Sequence, residues 1–183
     1  MFISKGVAMK NKETIIQFVH ALIQISKTKD IDQIRVKELC QTAYISHSTF
    51  YQYFSDINEL IERLEYYLIN EFHQATDSKT EHAAWIHSWF SYFDQYKDAL
   101  NTLLGPHGHQ QFYAQIKEQL ILALNQQMNF DGFPDDILRK YFQSIYAETF
   151  LILAMEWTQK KYKDDLSMAS LCDIALALRE KKE

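Results

Sequence analysis

The nine-residue stretch SHSTFYQYF, which begins at Ser46, carries the most distinctive chemistry in the sequence. It holds four aromatic rings, three small hydroxyl side chains, a histidine and a glutamine, and no side chain of fixed charge. On a helix, Phe50 and Phe54 lie one turn apart and face inward, with Tyr53 beside them. The side chains that then face outward are Ser48, Tyr51 and Gln52, with Thr49 on the flank.

The outward side of this helix has the composition of a surface that meets an anion. It carries no Asp or Glu, which a phosphate backbone would repel, whereas a solvated helix more often shows Lys and Glu. Helix starts expose free amides and a positive dipole end, which suit phosphate oxygens. Short hydrogen-bonding side chains and a tyrosine can reach base edges or backbone in a DNA major groove. The pattern therefore indicates contact with nucleic acid.

Three further helices are expected around this segment. The opening helix, NKETIIQFVHALIQIS, places its apolar side chains on one face, and a short helix, VKELCQTA, follows it. The sequence DINE, from Asp56 to Glu59, has the form of a capping box and opens a longer helix that should end at about His73. Two short helices joined by three or four residues, the second followed by a longer helix, are typical of a helix-turn-helix.

The segment after the longer helix is a polar joint, QATDSKT, which is interpreted as a domain boundary. The expected domains are a three-helix helix-turn-helix domain at 1–73 and a helical bundle at 74–183. Several helices are predicted in the second domain, the longest at Asp135–Lys161 and the last at Ser167–Arg179. Because the sequence has no β-alternation, internal repeat or low-complexity tract, the predicted fold class is all-α.

Composition and charge limit the classes of function. The chain of 183 residues is 47% hydrophobic and 23% charged, the profile of a soluble globular protein. It lacks a membrane-length apolar run and a signal-peptide pattern, and Cys40 and Cys172 are expected to be reduced thiols, so a cytoplasmic location is predicted. Net charge is −5, but residues 1–60 carry seven Lys/Arg against six Asp/Glu. This asymmetry places a polyanionic partner at the N-terminal end.

The sequence around these two short helices resembles a known family. The segment VKELCQTAYISHSTFYQYFSDINEL, Val36–Leu60, is similar to the DNA-binding segment of TetR/AcrR transcriptional regulators. The matching frame is an apolar–basic–acidic–apolar start, then Ala43, xxS, TFYxYF and a final EL, and with the flanking helices it covers about residues 10–73. A weaker likeness links YFDQYKDALNTLLGPHGHQQFYAQIKEQL to the C-terminal domain of a Gram-positive branch of that family. The resemblance implies a homodimer that binds operator DNA and often a small ligand.

The resemblance also assigns candidate DNA contacts. Lys37, in the first motif helix, is expected to reach a base or a phosphate. For each candidate the alternative is a solvated or half-packed surface residue. The base-edge candidates are His47, Ser48 and Tyr51; the phosphate candidates are Thr49, Gln52 and Tyr53; Ser46 completes the set of expected contacts.

Four positions depart from the family pattern. Tyr44 stands where a turn glycine is usual, so the turn must either avoid a positive φ there or be strained. Arg35 replaces a capping threonine ahead of the first motif helix. Ile57 replaces a lysine and His47 an arginine, and these two losses of positive charge are expected to weaken non-specific DNA affinity and flatten its salt dependence.

The predicted helix Asp135–Lys161 indicates how two subunits would meet. Its segment AETFLILAMEW is apolar on nearly every side, so it must be buried on every side. One side is expected to face the subunit core and the other a second subunit, with the helix Ser167–Arg179 as its companion. A two-fold dimer would present two recognition helices to a near-palindromic operator. The alternative is a helix at the centre of one monomeric bundle.

Aromatic side chains are dense in the second domain and have two interpretations. They can form an ordinary core, which is the commoner outcome for aromatics at helical spacing, or line a pocket for a small-molecule effector. No ligand-binding residue is assigned from the sequence. The residues concerned are Trp85, Trp89, Phe90, Phe93, Tyr96, Phe112, Tyr113, Tyr146 and Phe150.

Enzymatic and metal-binding functions have little support in the sequence. His107 and His109 form a loop HGH, while His82 and His87 do not share a helical face, and no metal-binding motif accompanies them. No catalytic elbow or phosphate-binding glycine loop is present, so neither catalysis nor a cofactor is expected. The sequence predicts a homodimeric, sequence-specific DNA-binding regulator, a repressor under small-molecule control. The alternative is a family-shaped regulator with weak DNA contacts that acts chiefly through a protein partner.

Overall fold

The structure, a computed structural model, describes residues 9–76, 81–132, 134–135, 137–159 and 170. These residues form eight α-helices and one short 3-10 turn at Ile31–Gln33, with no strand in the described ranges, so the predicted all-α class is confirmed. None of the described helices is long and apolar enough to span a bilayer. The helices are α1 Met9–Ser26, α2 Val36–Ala43, α3 His47–Tyr53, α4 Ile57–Thr76, α5 His82–Gln95, α6 Lys97–Leu104, α7 Gln110–Phe130 and α8 Ile137–Thr158.

Helix ends agree with the sequence pattern to within a few residues. Helix α4 runs to Thr76, one turn beyond the expected end at about His73. The predicted helix Asp135–Lys161 corresponds to α8. Apart from residue 170, the predicted helix Ser167–Arg179 lies outside the described residues.

The chain packs into two compact units. The described residues up to Leu68, together with Asp98–Phe112, form the N-terminal unit. Ile69–Lys97 and the described residues from Tyr113 onward form the C-terminal unit. Helix α6 and the loop after it therefore belong with α1–α3, although they follow α5 in sequence. The domain division at residues 73 and 74 stays a prediction.

Three phenylalanine rings form the centre of the N-terminal unit. Phe18 of α1 contacts Phe50 of α3 edge to face, with 5.3 Å between ring centroids, and Phe54 at 6.1 Å. All three side chains are buried. The guanidinium of Arg63, on α4, lies 5.2 Å from the Phe54 ring centroid and adds a cation–π contact. This cluster holds one side of α3 against both α1 and α4.

The loop between α6 and α7 is tied to the same unit by two histidines. The amide of Ile31 donates to the carbonyl oxygen of His107 at 2.9 Å, and the His107 ring contacts Asp30 at 2.7 Å. Nδ1 of His109 lies 2.5 Å from the carboxylate of Glu65 on α4. Both histidines of the HGH sequence thus pair with carboxylates, and no metal-binding group of three or more side chains occurs among the described residues.

Gly108, between these histidines, is required by close packing. A Cβ added there would lie 2.2 Å from the carbonyl oxygen of Leu103, a distance that no side chain tolerates. The backbone of the loop can therefore approach the end of α6 only with glycine at this position.

The C-terminal unit has an aromatic core. Trp89 lies between Trp85, at 4.0 Å, and Phe150 of α8, at 4.7 Å between centroids. Most of the aromatics named as pocket candidates are fully or nearly fully buried and form this core. Phe112 is buried too but belongs to the N-terminal unit, and Tyr96 and Tyr113 are half-buried. Of the two interpretations, the structure supports ordinary core for most of the set.

A buried polar cluster joins α7 to α8 within this unit. The guanidinium of Arg139 donates to the side-chain oxygens of Asn125 and Asn129, each at 2.7 Å, and Arg139 is only 4% exposed. Gln143, one turn further along α8, donates to the same Asn125 oxygen at 2.8 Å. Because buried polar groups stabilise only when satisfied, this cluster fixes the register of the two helices.

The pair formed by His109 and Glu65 gives a testable stability difference. Replacing His109 with alanine is expected to destabilise the protein by about 1–3 kcal/mol, because the buried Glu65 carboxylate loses its hydrogen-bond donor. Burial raises the pKa of Glu65, and loss of His109 removes the contacts that oppose this rise. The folded state then holds the carboxyl proton to higher pH than the unfolded chain, so stability should fall as pH increases above the ordinary value of 4.5.

Urea denaturation at a series of pH values measures this effect. The matched control is His107→Ala, which breaks an exposed pair with Asp30 and should cost less than about 1 kcal/mol. Equal losses for the two variants, or a pH dependence no steeper than that of the unmodified protein, would contradict the assignment.

Candidate nucleic-acid interface

Helix α3 is short and is stabilised at its start by Ser46. The Ser46 hydroxyl oxygen accepts a hydrogen bond from the amide of Thr49 at 3.1 Å and lies 2.8 Å from the Thr49 hydroxyl. The helix spans seven residues, and Phe54 follows in an extended conformation. A serine at this position compensates for the unpaired amides of the first turn. The Ser46 hydroxyl is therefore engaged within the helix cap.

The turn before α3 has an unusual backbone. Tyr44 adopts φ 57° and ψ 35°, the left-handed conformation, so the strained form of the turn is the one observed. The amide of Tyr44 donates to the carbonyl of Gln41 at 3.3 Å, and that of Ile45 to the carbonyl of Cys40 at 3.0 Å. These two bonds define a Schellman motif, which ends α2 and turns the chain into α3.

The two sides of α3 differ sharply in exposure. Phe50 and Phe54 are 0% and 2% exposed, which confirms that they face inward. Tyr51, on the opposite side, is 58% exposed. The candidate contacts that are exposed are Lys37, Ser46, His47, Ser48, Tyr51 and Gln52, while Thr49 and Tyr53 are half-buried.

The half-buried candidates are partly occupied by contacts within the chain. The Thr49 hydroxyl lies against Ser46, and the Tyr53 ring packs beside Phe54 with 6.3 Å between centroids. All candidates except Lys37 belong to α3 or its cap, whereas Lys37 projects from α2. Contact of each candidate with DNA stays a prediction.

Among the described residues, few charged side chains surround α2 and α3. Arg35 is exposed at the start of α2 and makes no side-chain cap bond, as expected for the loss of the usual threonine. Lys29 pairs with Glu38 at 2.5 Å, which offsets its charge. Ile57 is 7% exposed and belongs to the core, so it contributes no polar group to the surface.

The helix after α3 begins with the predicted capping arrangement. The Asp56 carboxylate accepts from the amide of Glu59 at 2.9 Å, as expected for the first half of a capping box. The Glu59 carboxylate accepts from the amide of Ser55 at 2.6 Å, one residue earlier than the usual partner. The hydrogen bond from the Ser55 backbone is the main cause that lowers the pKa of Glu59.

One exposed residue was absent from the predicted contacts. Tyr44 is 96% exposed and lies two residues before the start of the α3 cap. From the sequence, Tyr44 is notable only because it stands where a turn glycine is usual. A turn residue lies outside the helical period, so the period does not predict that its side chain is exposed.

A cavity of about 460 Å³ lies within the C-terminal unit. It is bordered by α4 and α5, and the Tyr96 hydroxyl donates to the Glu71 carboxylate at 2.7 Å at its edge. His87, Ser91 and Gln95 add hydrogen-bonding groups to its lining. Of the proposed pocket aromatics, Tyr96 is the one that borders this cavity.

No protein-family model matches the sequence, and no curated protein sequence is significantly similar to it. Solved structures, by contrast, are similar over nearly the whole chain. A TetR transcriptional regulator from Streptococcus agalactiae 2603V has a TM-score of 0.68 at 17% identity, over 92% of this chain and 94% of that chain. The transcriptional regulator FadR from Bacillus subtilis, in complex with stearoyl-CoA, has a TM-score of 0.64 at 15% identity, over 92% of this chain and 99% of that chain.

A third similar structure is the dihydroxyacetone kinase operon activator DhaS, with a TM-score of 0.60 at 17% identity, over 90% of this chain and 94% of that chain. At these identities the similarity establishes the fold. The chain folds as TetR-like transcriptional regulators do, with an N-terminal helix-turn-helix followed by a helical C-terminal part.

The cap of α3 yields a prediction that does not involve DNA. Ser46→Ala is expected to lower the free energy of unfolding by about 1 kcal/mol, because the first-turn amides lose their acceptor. Ser48→Ala, which removes an exposed hydroxyl from the same helix, should change it by less than about 0.5 kcal/mol. Chemical denaturation followed by circular dichroism distinguishes the two. If both substitutions are neutral, the Ser46 cap does not stabilise α3.

Proposed function

We propose that this protein, which has the fold of TetR-like transcriptional regulators, binds double-stranded DNA through α3 and regulates transcription. The observation that carries the proposal is the two-sidedness of α3: its phenylalanine side is buried, while its polar side is exposed. The segment from Gln41 to Phe54 contains no Asp or Glu that would repel phosphates. A helix of this kind fits the major groove of B-form DNA.

The proposed contacts divide by chemistry. His47, Ser48 and Tyr51 carry donors and acceptors on exposed side chains and are proposed to read base edges. Gln52 and Lys37 are proposed to contact phosphates, which position the helix without specifying sequence. The remaining proposed contacts are Ser46, Thr49 and Tyr53. Their side chains are partly held by the helix cap and by ring packing, so they are proposed to contact only the DNA backbone.

The proposed DNA-binding surface carries few cationic side chains, and this limits the salt dependence of binding. Arg35 and Lys37 are exposed at α2, but the common cationic positions hold Ile57 and His47. Each phosphate neutralised by a cation contributes to the salt dependence of binding, so a shallow dependence is expected. Should binding be undetectable in low salt, the alternative of a regulator that acts through a protein partner would be favoured.

We further propose a homodimer formed through α8. Helix α8 buries Tyr146 and Phe150 on one side, yet exposes a stripe of large apolar side chains on the other. Exposed apolar stripes of this kind are typical of subunit interfaces. The stripe consists of Leu138, Tyr141, Ile145 and Ile152, which are 72%, 66%, 66% and 47% exposed.

A two-fold pair of this kind would match a near-palindromic operator. We propose that the stripe packs against its copy, with the predicted helix Ser167–Arg179 as companion. Two recognition helices related by the two-fold axis would then bind half-sites separated by whole turns of DNA.

Regulation by a small molecule is the last part of the proposal. The cavity beside Glu71 and Tyr96 offers space and polar groups within the C-terminal unit, and a protein of the same fold is described in complex with stearoyl-CoA. An effector that binds better to the form that does not fit the operator would release DNA. We propose repression as the resulting mode. No catalytic step is part of this function, and the structural neighbours are described as regulators.

The DNA-binding proposal is tested with duplexes selected from a random pool by the unmodified protein. Tyr51→Ala is expected to weaken binding by at least about tenfold, because a central exposed side chain of α3 is lost. The matched control is Tyr66→Ala, which removes a 75% exposed tyrosine from α4 and should leave affinity unchanged. Fluorescence anisotropy measures both. Tyr51→Ala binding as tightly as the unmodified protein would remove α3 from the interface.

The dimer proposal is tested by sedimentation at micromolar concentration. Ile145→Glu places a charge in the middle of the stripe and is expected to produce a monomer, because an unpaired charge in an apolar interface is strongly unfavourable. Ser144→Glu adds the same charge at the neighbouring exposed position, about 100° around the helix from Ile145, and should remain dimeric. A monomeric unmodified protein would contradict the proposal directly, and a dimeric Ile145→Glu variant would place the interface elsewhere.

A further inference from the structure

Tyr44 is the one non-glycine residue with positive φ among the described residues. Its φ of 57° and ψ of 35° lie in the left-handed region, where Cβ comes close to the following carbonyl oxygen. Glycine, which has no Cβ, and asparagine adopt this region routinely, whereas a bulky residue there is an outlier. An aromatic residue in this conformation is strained. The turn itself needs the conformation, since the Schellman hydrogen bonds of Tyr44 and Ile45 close only in this geometry.

The side chain of Tyr44 makes no stabilising contact with the described part of the chain. Tyr44 is 96% exposed, so its ring removes almost no apolar surface from water. Its hydroxyl forms no hydrogen bond with any part of the chain that the structure describes. Glycine would adopt the same backbone conformation without strain. Among the described residues, therefore, no contact of the side chain offsets the strain of the turn.

Strained backbone of this kind clusters at active sites, ligand clamps and switch regions. Tyr44 lies beside the proposed DNA-reading surface, because at most about 7 Å of extended chain separate its Cα from that of Ser46. No acidic residue lies between Gln41 and Phe54. A phenol at this position thus has an exposed hydroxyl donor and an exposed apolar ring two residues before the cap of α3.

We propose that Tyr44 is a further DNA-contacting residue, whose hydroxyl donates to a phosphate oxygen while its ring packs on the adjoining sugar. This inference rests on the proposed function of α3. Tyrosine hydroxyls are among the neutral groups that bond to DNA phosphates.

A neutral phosphate contact has a distinctive signature. It strengthens binding without neutralising a phosphate, so it leaves the slope of log K against log salt unchanged. It also acts equally on all sequences, because phosphates carry no base identity. Loss of a cation such as Lys37, in contrast, should reduce the slope by about 1 when that cation contacts a phosphate.

The experiment compares Tyr44→Gly and Tyr44→Phe with the unmodified protein, using duplexes that the unmodified protein selects. Tyr44→Gly relieves the strain and is expected to raise Tm by about 2 °C, yet to weaken DNA binding about tenfold. Tyr44→Phe keeps the strain and loses only the hydroxyl. Its Tm should stay unchanged, its affinity should fall about fivefold on all duplexes, and its salt slope should match that of the unmodified protein.

Two controls separate this inference from the proposed function. Tyr66→Ala should leave affinity unchanged, and Lys37→Ala should lower the salt slope. Tyr44 variants that bind with unmodified affinity, while Tyr51→Ala fails to bind, would overturn the Tyr44 contact alone and identify Tyr44 as a tolerated surface residue. If the unmodified protein selects no duplex, the proposed function and this inference are overturned together.

Discussion

The edge-to-face packing of Phe18 against Phe50 and Phe54 is the interaction on which the candidate interface depends. A helix of seven residues has little stability of its own in water, because it forms few hydrogen bonds after a costly nucleation. Burial of Phe50 against α1 stabilises it and also fixes its rotation about its axis. Once the phenylalanine side is set, the helical period determines that Tyr51 and its polar neighbours face solvent. The recognition surface is thus a consequence of the core behind it.

Two exposed positions near α3 hold residues that do not stabilise the local backbone. Ser46 caps α3 in the usual way, but Arg35 leaves α2 without a side-chain cap and Tyr44 strains the turn. Both exceptions leave a large donor-bearing side chain exposed to solvent, and Tyr44 is proposed to contact DNA. Natural proteins accept such local losses chiefly at functional sites, where the gain occurs in the complex.

Features that depend on a few adjacent residues follow from the sequence. The inward Phe50 and the cap at Asp56 are of this kind, since helical period and capping chemistry are local. Contacts between distant segments do not follow. His109 and Glu65 are 44 residues apart, and His107 and Asp30 are 77 residues apart. At Tyr44 the sequence left two turn geometries open, because only the hydrogen bonds of the folded turn select the left-handed one.

The most direct test of the central claim is hydroxyl-radical footprinting of the protein itself, with and without a duplex that it selects. The exposed side of α3 should lose reactivity in the complex, measured at Tyr51, while Tyr66 on α4 keeps its reactivity and Phe50 stays unreactive in both states. Equal modification of Tyr51 in the free and DNA-bound protein would contradict the account, because the polar side of α3 would then remain in solvent when DNA is bound.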